Sequence, residues 1–282
     1  MTKNENESGT ADRRTVFFAS DHTGITVESL GRGLLAQFEG IPFEEVTLPF
    51  VDSETKARQV VERINQAAAH DDARPLVFAT LVDPVLRARI ATADAFFIDL
   101  FESFVPILEQ ELGTAALRTI GRTHSVSNMA SYQRRMEAVN YALAHDDGVT
   151  VKNYEYADII LVGVSRVGKT PTCLYLALQH GVRAANFPLT PDDFAAAQLP
   201  PPLLPYLTKL YGLTIQPERL SRIRQERRPD SDYASLAACR RETRQAASLF
   251  HNHRIPYLDT TTLSVEEIST TLLQEAKLSR CA

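Results

Sequence analysis

The residues best suited to chemistry are Gly163, Val164, Ser165, Arg166, Val167, Gly168, Lys169 and Thr170, which read GVSRVGKT. They fit G-x-x-x-x-G-K-[ST], the pattern of a phosphate-cradling loop (P-loop), which needs a strand before it and a helix after it. Gly163 and Gly168 allow a tight turn, so successive amides converge on phosphate oxygens. Lys169 supplies a point charge to terminal phosphates, and the Thr170 hydroxyl suits Mg²⁺. A helix starting near Lys169 would add the positive end of its dipole. All eight residues are predicted to bind a nucleoside di- or triphosphate, with Thr170 as the metal ligand. The loop leaves the reaction open, because many activities share it.

Other groups could join such a site. A carboxylate ending a strand commonly helps to hold Mg²⁺, yet no apolar strand ending in Asp follows the loop. Asp192 and Asp193 fall at a helix start, where capping is their expected role. Asp99 ends AFFID but precedes the loop. Ser20–Gly24 (SDHTG) lies between a predicted strand and helix, where α/β sheets bind ligands, and Asp21 or His22 there could do acid–base work. His124, in GRTHSVSN, and Asp146–Asp147, in HDDG, could each serve phosphotransfer or merely cap and turn the chain. Cys173, Cys239 and Cys281 form no CxxC pair, so reduced thiols are expected rather than zinc or disulfides.

The elements that must position these residues alternate between strands and helices. Strands are predicted at Thr15–Ala19, Glu45–Val51, Leu76–Val82 and Ala95–Leu100. Helices are predicted at Val27–Phe38, after Ser53 to His70, at Pro84–Thr92 and through Leu112. An amphipathic helix with Met129, Tyr132, Met136, Val139 and Leu143 on one face reads as the connection between two domains. Beyond it come a strand at Ala157–Val162, a helix to His180 with Gly181 as cap, and a strand at Val182–Asn186. The proline-rich Gln198–Pro205 is predicted as loop, and Pro217–Arg228, Tyr233–His251 and Val265–Leu273 as helices. Such alternation implies α/β architecture with parallel sheets. The expected organisation is a disordered tail at 1–14, an N-terminal parallel-sheet α/β domain with its connecting helix at 15–150, and a P-loop kinase-like α/β domain at 151–282.

Composition agrees. The 282 residues are 44% apolar and 23% charged, which excludes disordered, fibrous and disulfide-scaffold classes. No apolar run is long enough to span a membrane, and the polar start lacks a signal-peptide core, so a cytoplasmic protein without membrane association is expected. A net charge of -5 argues against a general nucleic-acid binder. Residues 1–150 carry -8 and residues 151–282 carry +3, with nine Arg against five acids in Pro217–Arg254. That excess either attracts phosphates or an acidic protein face, or is a solvated helical surface.

Several further blocks occur in order: SDHTGITVESLGRGLLAQF, TLVDP, HSVSNMASYQRRMEAVNYALAHDDG, ADIILVGVSRVGKTPTCLYLALQHGVRAANFPL, GLTIQPERLSRIRQERR and IPYLDTTTLSVEEI. With them the chain resembles, from Thr15 onwards, the synthase-directed branch of the pyruvate, phosphate dikinase regulatory protein family. The resemblance implies a bifunctional enzyme acting on phosphoenolpyruvate synthase. ADP would phosphorylate a target threonine beside the catalytic histidine, inactivating the target and releasing AMP. Inorganic phosphate would remove that group as pyrophosphate. The nucleotide loop carries over as Gly163 to Thr170. For this chemistry Asp21 is the first candidate to accept the hydroxyl proton and His124 the second. Arg166, Lys169 and the arginines of Glu218–Arg228 are candidates to hold phosphate. The same chemistry on pyruvate, phosphate dikinase, an ATP-dependent small-molecule P-loop kinase, and a nucleotide-dependent binding switch remain as alternatives. A homodimer stays open.

Overall fold

A computed structural model of the chain describes residues 14–71, 73–117, 129–196 and 198–278. Two compact units, Met1–Ser125 and Val126–Ala282, divide it. In the first, strands β1 (Arg14–Ser20), β2 (Phe43–Leu48), β3 (Leu76–Thr80) and β4 (Phe96–Asp99) alternate with helices α1 (Ile25–Leu35), α2 (Glu54–His70), α3 (Pro84–Ile90) and α4 (Leu100–Leu112). The sheet is parallel in the order β2-β1-β3-β4. Alternate residues of β1 feed two cores. Phe17 and Ala19 pack with Ala57, Val60 and Ile64 of α2, while Val16 and Phe18 pack with Val27, Leu35 and Leu100. Successive strand side chains point to opposite faces, so an apolar run such as TVFFA buries on both.

The second unit opens with α5 (Met129–Ala144). Strands β5 (Ile159–Gly163), β6 (Ala184–Pro188), β7 (Leu210–Thr214) and β8 (Tyr257–Asp259) form a second parallel sheet, in the order β6-β5-β7-β8. Around it lie α6 (Lys169–His180), α7 (Pro191–Ala196), α8 (Pro217–Arg227), α9 (Leu236–Asn252) and α10 (Val265–Glu275). Both sheets reverse strand order beside their first strand, so β1/β3 and β5/β7 are switch points, where the carboxyl ends leave a crevice.

Several expectations are corrected. The units part at 125/126, not at 150, because α5 packs on α6 and buries Ala138 and Ala142 in the second core. The face predicted for that helix is also rotated: Tyr132 and Leu143 are exposed, since a close helix pair selects small residues at the contact. The proline run is not wholly loop, for Pro201–Lys209 is 3₁₀-helical on both sides of a kink at Tyr206. It leads into β7, which the sequence reading left out along with β8.

Gly212 of β7 has a packing reason. A Cβ there would lie 2.7 Å from the Phe250 ring and 2.8 Å from the Tyr257 Cβ. Gly212→Ala is therefore expected to destabilise the second unit by about 1–3 kcal/mol, read as a lowered urea midpoint. An unchanged midpoint would refute that packing. Among the described residues, no helix is long and apolar enough to cross a membrane.

Candidate functional site

The predicted loop sits at the β5/β7 switch point, with β5 ending at Gly163 and α6 beginning at Lys169. Its two glycines have different reasons. Gly168 turns the chain at φ 94°, a conformation that favours glycine. Gly163 instead allows close strand packing, because a Cβ there would collide with the Leu213 carbonyl oxygen of β7. Arg166 holds φ 78° without being glycine, which costs about 1–2 kcal/mol and persists where neighbours enforce it.

Those neighbours are visible. Arg224 of α8 is wholly buried and donates to the Ser165 carbonyl (3.2 Å), the Tyr233 carbonyl (3.0 Å) and the Glu242 carboxylate of α9 (2.7 Å). Its guanidinium lies 4.1 Å from the centre of the Tyr233 ring, and the Tyr233 hydroxyl donates to Ser165 Oγ at 2.9 Å. Ser165 is thus clamped on both backbone and side chain, which holds Arg166 in place. Arg224 was a candidate phosphate ligand by sequence, and this burial corrects that reading.

Lys169 is also buried, and its ammonium donates to the Val164 carbonyl at 2.9 Å, curling back over the loop. Burial pushes it down to about 8, against the opposing pull of Asp147 and Asp146. Thr170 donates to Asp146 Oδ1 at 2.8 Å. Asn186 of β6 gathers this group, its Nδ2 lying 2.6 Å from Asp146 Oδ1, 3.3 Å from Asp147 Oδ1 and 3.0 Å from Thr170 Oγ1. Backbone bonds pin the HDDG turn to the same residue: Asn186 N donates to the His145 carbonyl, and Gly148 N to the Asn186 carbonyl, each at 3.0 Å. The His145 ring, stacked on Tyr141, lies 2.8 Å from the carbonyls of both Tyr141 and Lys152.

The carboxylates of this site therefore come from the turn before β5, not from the end of a later strand. Asp146 and Asp147 border a cleft of about 500 Å³ with Arg166, Gly168, Lys169 and Thr170. Sequence reasoning left Asp146 and Asp147 between two roles and gave Asn186 none. The available signal was two adjacent acids beside a glycine just ahead of the loop strand. Among the described residues no cluster of three or more His, Cys, Asp or Glu side chains could hold a metal by itself. The donors here are hard oxygens, and the buried Asn186 Oδ1 has no hydrogen-bond partner. This set fits Mg²⁺, which binds one or two carboxylates and completes its shell with phosphate and water oxygens.

The remaining candidates lie elsewhere. Asp21 belongs to the first unit, at the β1/β3 switch point. Its carboxyl accepts the Val82 amide at 2.7 Å, and burial pushes it above the usual carboxylate range. Asp99 caps α4, accepting from Glu102 N at 2.9 Å, and pairs with Arg87 at 3.3 Å. Asp193 accepts from the amide and hydroxyl of Thr190, as a cap. Cys173 and Cys239 are buried and free, whereas His124, Cys281 and the tail at 1–13 lie outside the described residues.

A parallel α/β unit with a glycine loop, a buried lysine and opposed carboxylates at its switch point defines a phosphotransferase class of site. The description Kinase/pyrophosphorylase fits residues 16–273, and the chain belongs to that family. A Marinobacter nauticus protein is 52% identical over 268 residues, covering 95% of this chain and 99% of its own length. A Laribacter hongkongensis protein is 52% identical over 269 residues (95% and 98%), and one from Neisseria meningitidis serogroup B is 53% identical over 267 residues (95% and 98%). All three bear the provisional name phosphoenolpyruvate synthase regulatory protein.

Proposed function

We propose that this chain regulates phosphoenolpyruvate synthase by ADP-dependent phosphorylation of a threonine and by phosphate-dependent removal of that group. The observation that carries this reading is the meeting of Lys169, Thr170 and Asp146 at one cleft. The family description and the names of its relatives support the regulatory direction.

In the forward reaction the Gly163–Thr170 amides and Lys169 hold the diphosphate of ADP. The target hydroxyl attacks the β-phosphorus, the bond to the bridging oxygen breaks, and AMP leaves. Thr170 and Asp146 would hold Mg²⁺, which supplies charge neutralisation on the phosphates when bound. Asp147 borders the cleft beside them and accepts the hydroxyl proton. Asp147→Asn tests this role, and transfer at the wild-type rate would remove it. In reverse, inorganic phosphate attacks phosphothreonine, restoring the hydroxyl and giving pyrophosphate.

The test uses ADP labelled at the β-phosphate, Mg²⁺ and synthase phosphorylated on its catalytic histidine. Label on a threonine with release of AMP is the expected result. Label from ATP only, or on pyruvate, phosphate dikinase only, would overturn the donor or the target. Asp146→Asn is expected to raise the Mg²⁺ concentration for half-maximal transfer by about 10–100-fold. An unchanged requirement would remove Asp146 from the metal site.

A further inference from the structure

We infer that the cleft has a second compartment, built for a phosphate dianion separate from the loop, in which Arg166, Arg227 and Arg228 are the binding groups. This rests on the phosphoryl chemistry proposed for the same cleft. A smaller cavity of about 280 Å³ is bordered by Asp147, Ser165, Arg166, Arg227, Arg228 and Tyr233. Asp147, Ser165, Arg166 and Arg227 also border the larger cleft, so the two spaces are continuous. Arg228 and Tyr233 belong to the smaller one alone.

Three observations point to a phosphate there. None of the three guanidinium groups has a carboxylate within ion-pair distance among the described residues, whereas nearby Arg224 and Arg240 pair with Glu242 and Glu218. Like charges gathered at one cavity repel, and a dianion relieves that repulsion. Next, Arg166 is held in a left-handed conformation by the clamp on Ser165, so its side chain is presented from a fixed loop. Arg227 and Arg228 lie three and four residues after the anchored Arg224, at the end of α8. Finally, the cavity is below the roughly 300–1,000 Å³ of pockets for drug-sized ligands. It suits one tetrahedral group better than a nucleoside.

Planar guanidinium forks match phosphate oxygens two at a time. The dianion has two sources, free inorganic phosphate or a phosphorylated side chain of a protein. Either would sit beside Asp147 and next to the loop that holds the other phosphate.

Calorimetric titration tests this with three probes: ADP, inorganic phosphate and a blocked phosphothreonine peptide of neutral sequence. The proteins are wild type, Lys169→Met, Arg228→Gln and Arg228→Lys. The expected result is that phosphothreonine binds wild type and Lys169→Met within about threefold of each other, and Arg228→Gln about tenfold or more weakly. Arg228→Lys should recover part of that loss, because it keeps the charge but not the fork. The ADP affinity of Arg228→Gln should stay near wild type. Binding of inorganic phosphate alone with the same dependence on Arg228 also supports the compartment and identifies its occupant as the free ion. Loss of both phosphate probes with Lys169→Met and their retention in Arg228→Gln would overturn it, as would failure of both to bind wild type. Failure of ADP to bind wild type would instead strike the proposed function, whatever the phosphate probes do.

Discussion

Replacing Lys169 with methionine is expected to lower transfer from ADP by about 10³-fold, the scale of losing one fixed charge at a phosphoryl or oxyanion centre. The side chain is buried at the first turn of α6, and among the described residues its only hydrogen bond is to the Val164 carbonyl. An ammonium so placed is poorly solvated, which is why burial lowers its proton affinity. Arriving phosphate oxygens would supply the missing charge, so Lys169 interacts more strongly with ligand than with the loop. Methionine keeps most of the stem volume and removes a buried charge with one neutral partner. The variant should therefore melt no lower than wild type. Transfer within a few-fold of wild type by a folded Lys169→Met protein would remove this residue from the chemistry. Loss of transfer together with a much lower melting temperature would assign it a structural role instead.

What was legible in the sequence follows how local each determinant is. The GVSRVGKT loop is contiguous, so the spacing of its glycines, Lys169 and Thr170 located it between β5 and α6. The parallel-sheet α/β architecture was legible for the same reason: apolar runs such as TVFFA and ADIILV alternate with capped helices. The β7 strand was not, because LYGLT is short, contains a glycine and follows a proline-rich turn. What makes it a strand is its place beside β5, which no local pattern encodes. Asp146 shows the same limit at the site. It lies 24 residues before Thr170, and the packing of α5 on α6 together with the bonds from the HDDG turn to Asn186 brings the two together. Arg224 is the converse case. Its charge made it a phosphate candidate, yet Glu242, 18 residues later, meets it in the interior.

Removing that partner gives the second large effect, this time on stability. Glu242→Ala leaves the Arg224 guanidinium wholly buried without its counter-charge, and the expected cost is about 3–5 kcal/mol. Calorimetric or urea unfolding of the second unit should register it, and an unchanged transition would mean that the charge finds water or another partner. The double variant Arg224→Met with Glu242→Leu removes both charges and should restore most of the lost stability. It does not restore the donor to the Ser165 carbonyl, nor the guanidinium against the Tyr233 ring. Without them Arg166 is less firmly held in its left-handed conformation, because among the described residues Ser165 keeps the Tyr233 hydroxyl alone, while Lys169 and Thr260 still hold the loop at Val164 and Val167. Stability regained with transfer still depressed would therefore separate the two duties of Arg224, neutralising Glu242 and shaping the loop. If transfer recovers together with stability, the clamp on Ser165 plays no part in catalysis, and the conformation of Arg166 is set by the loop itself.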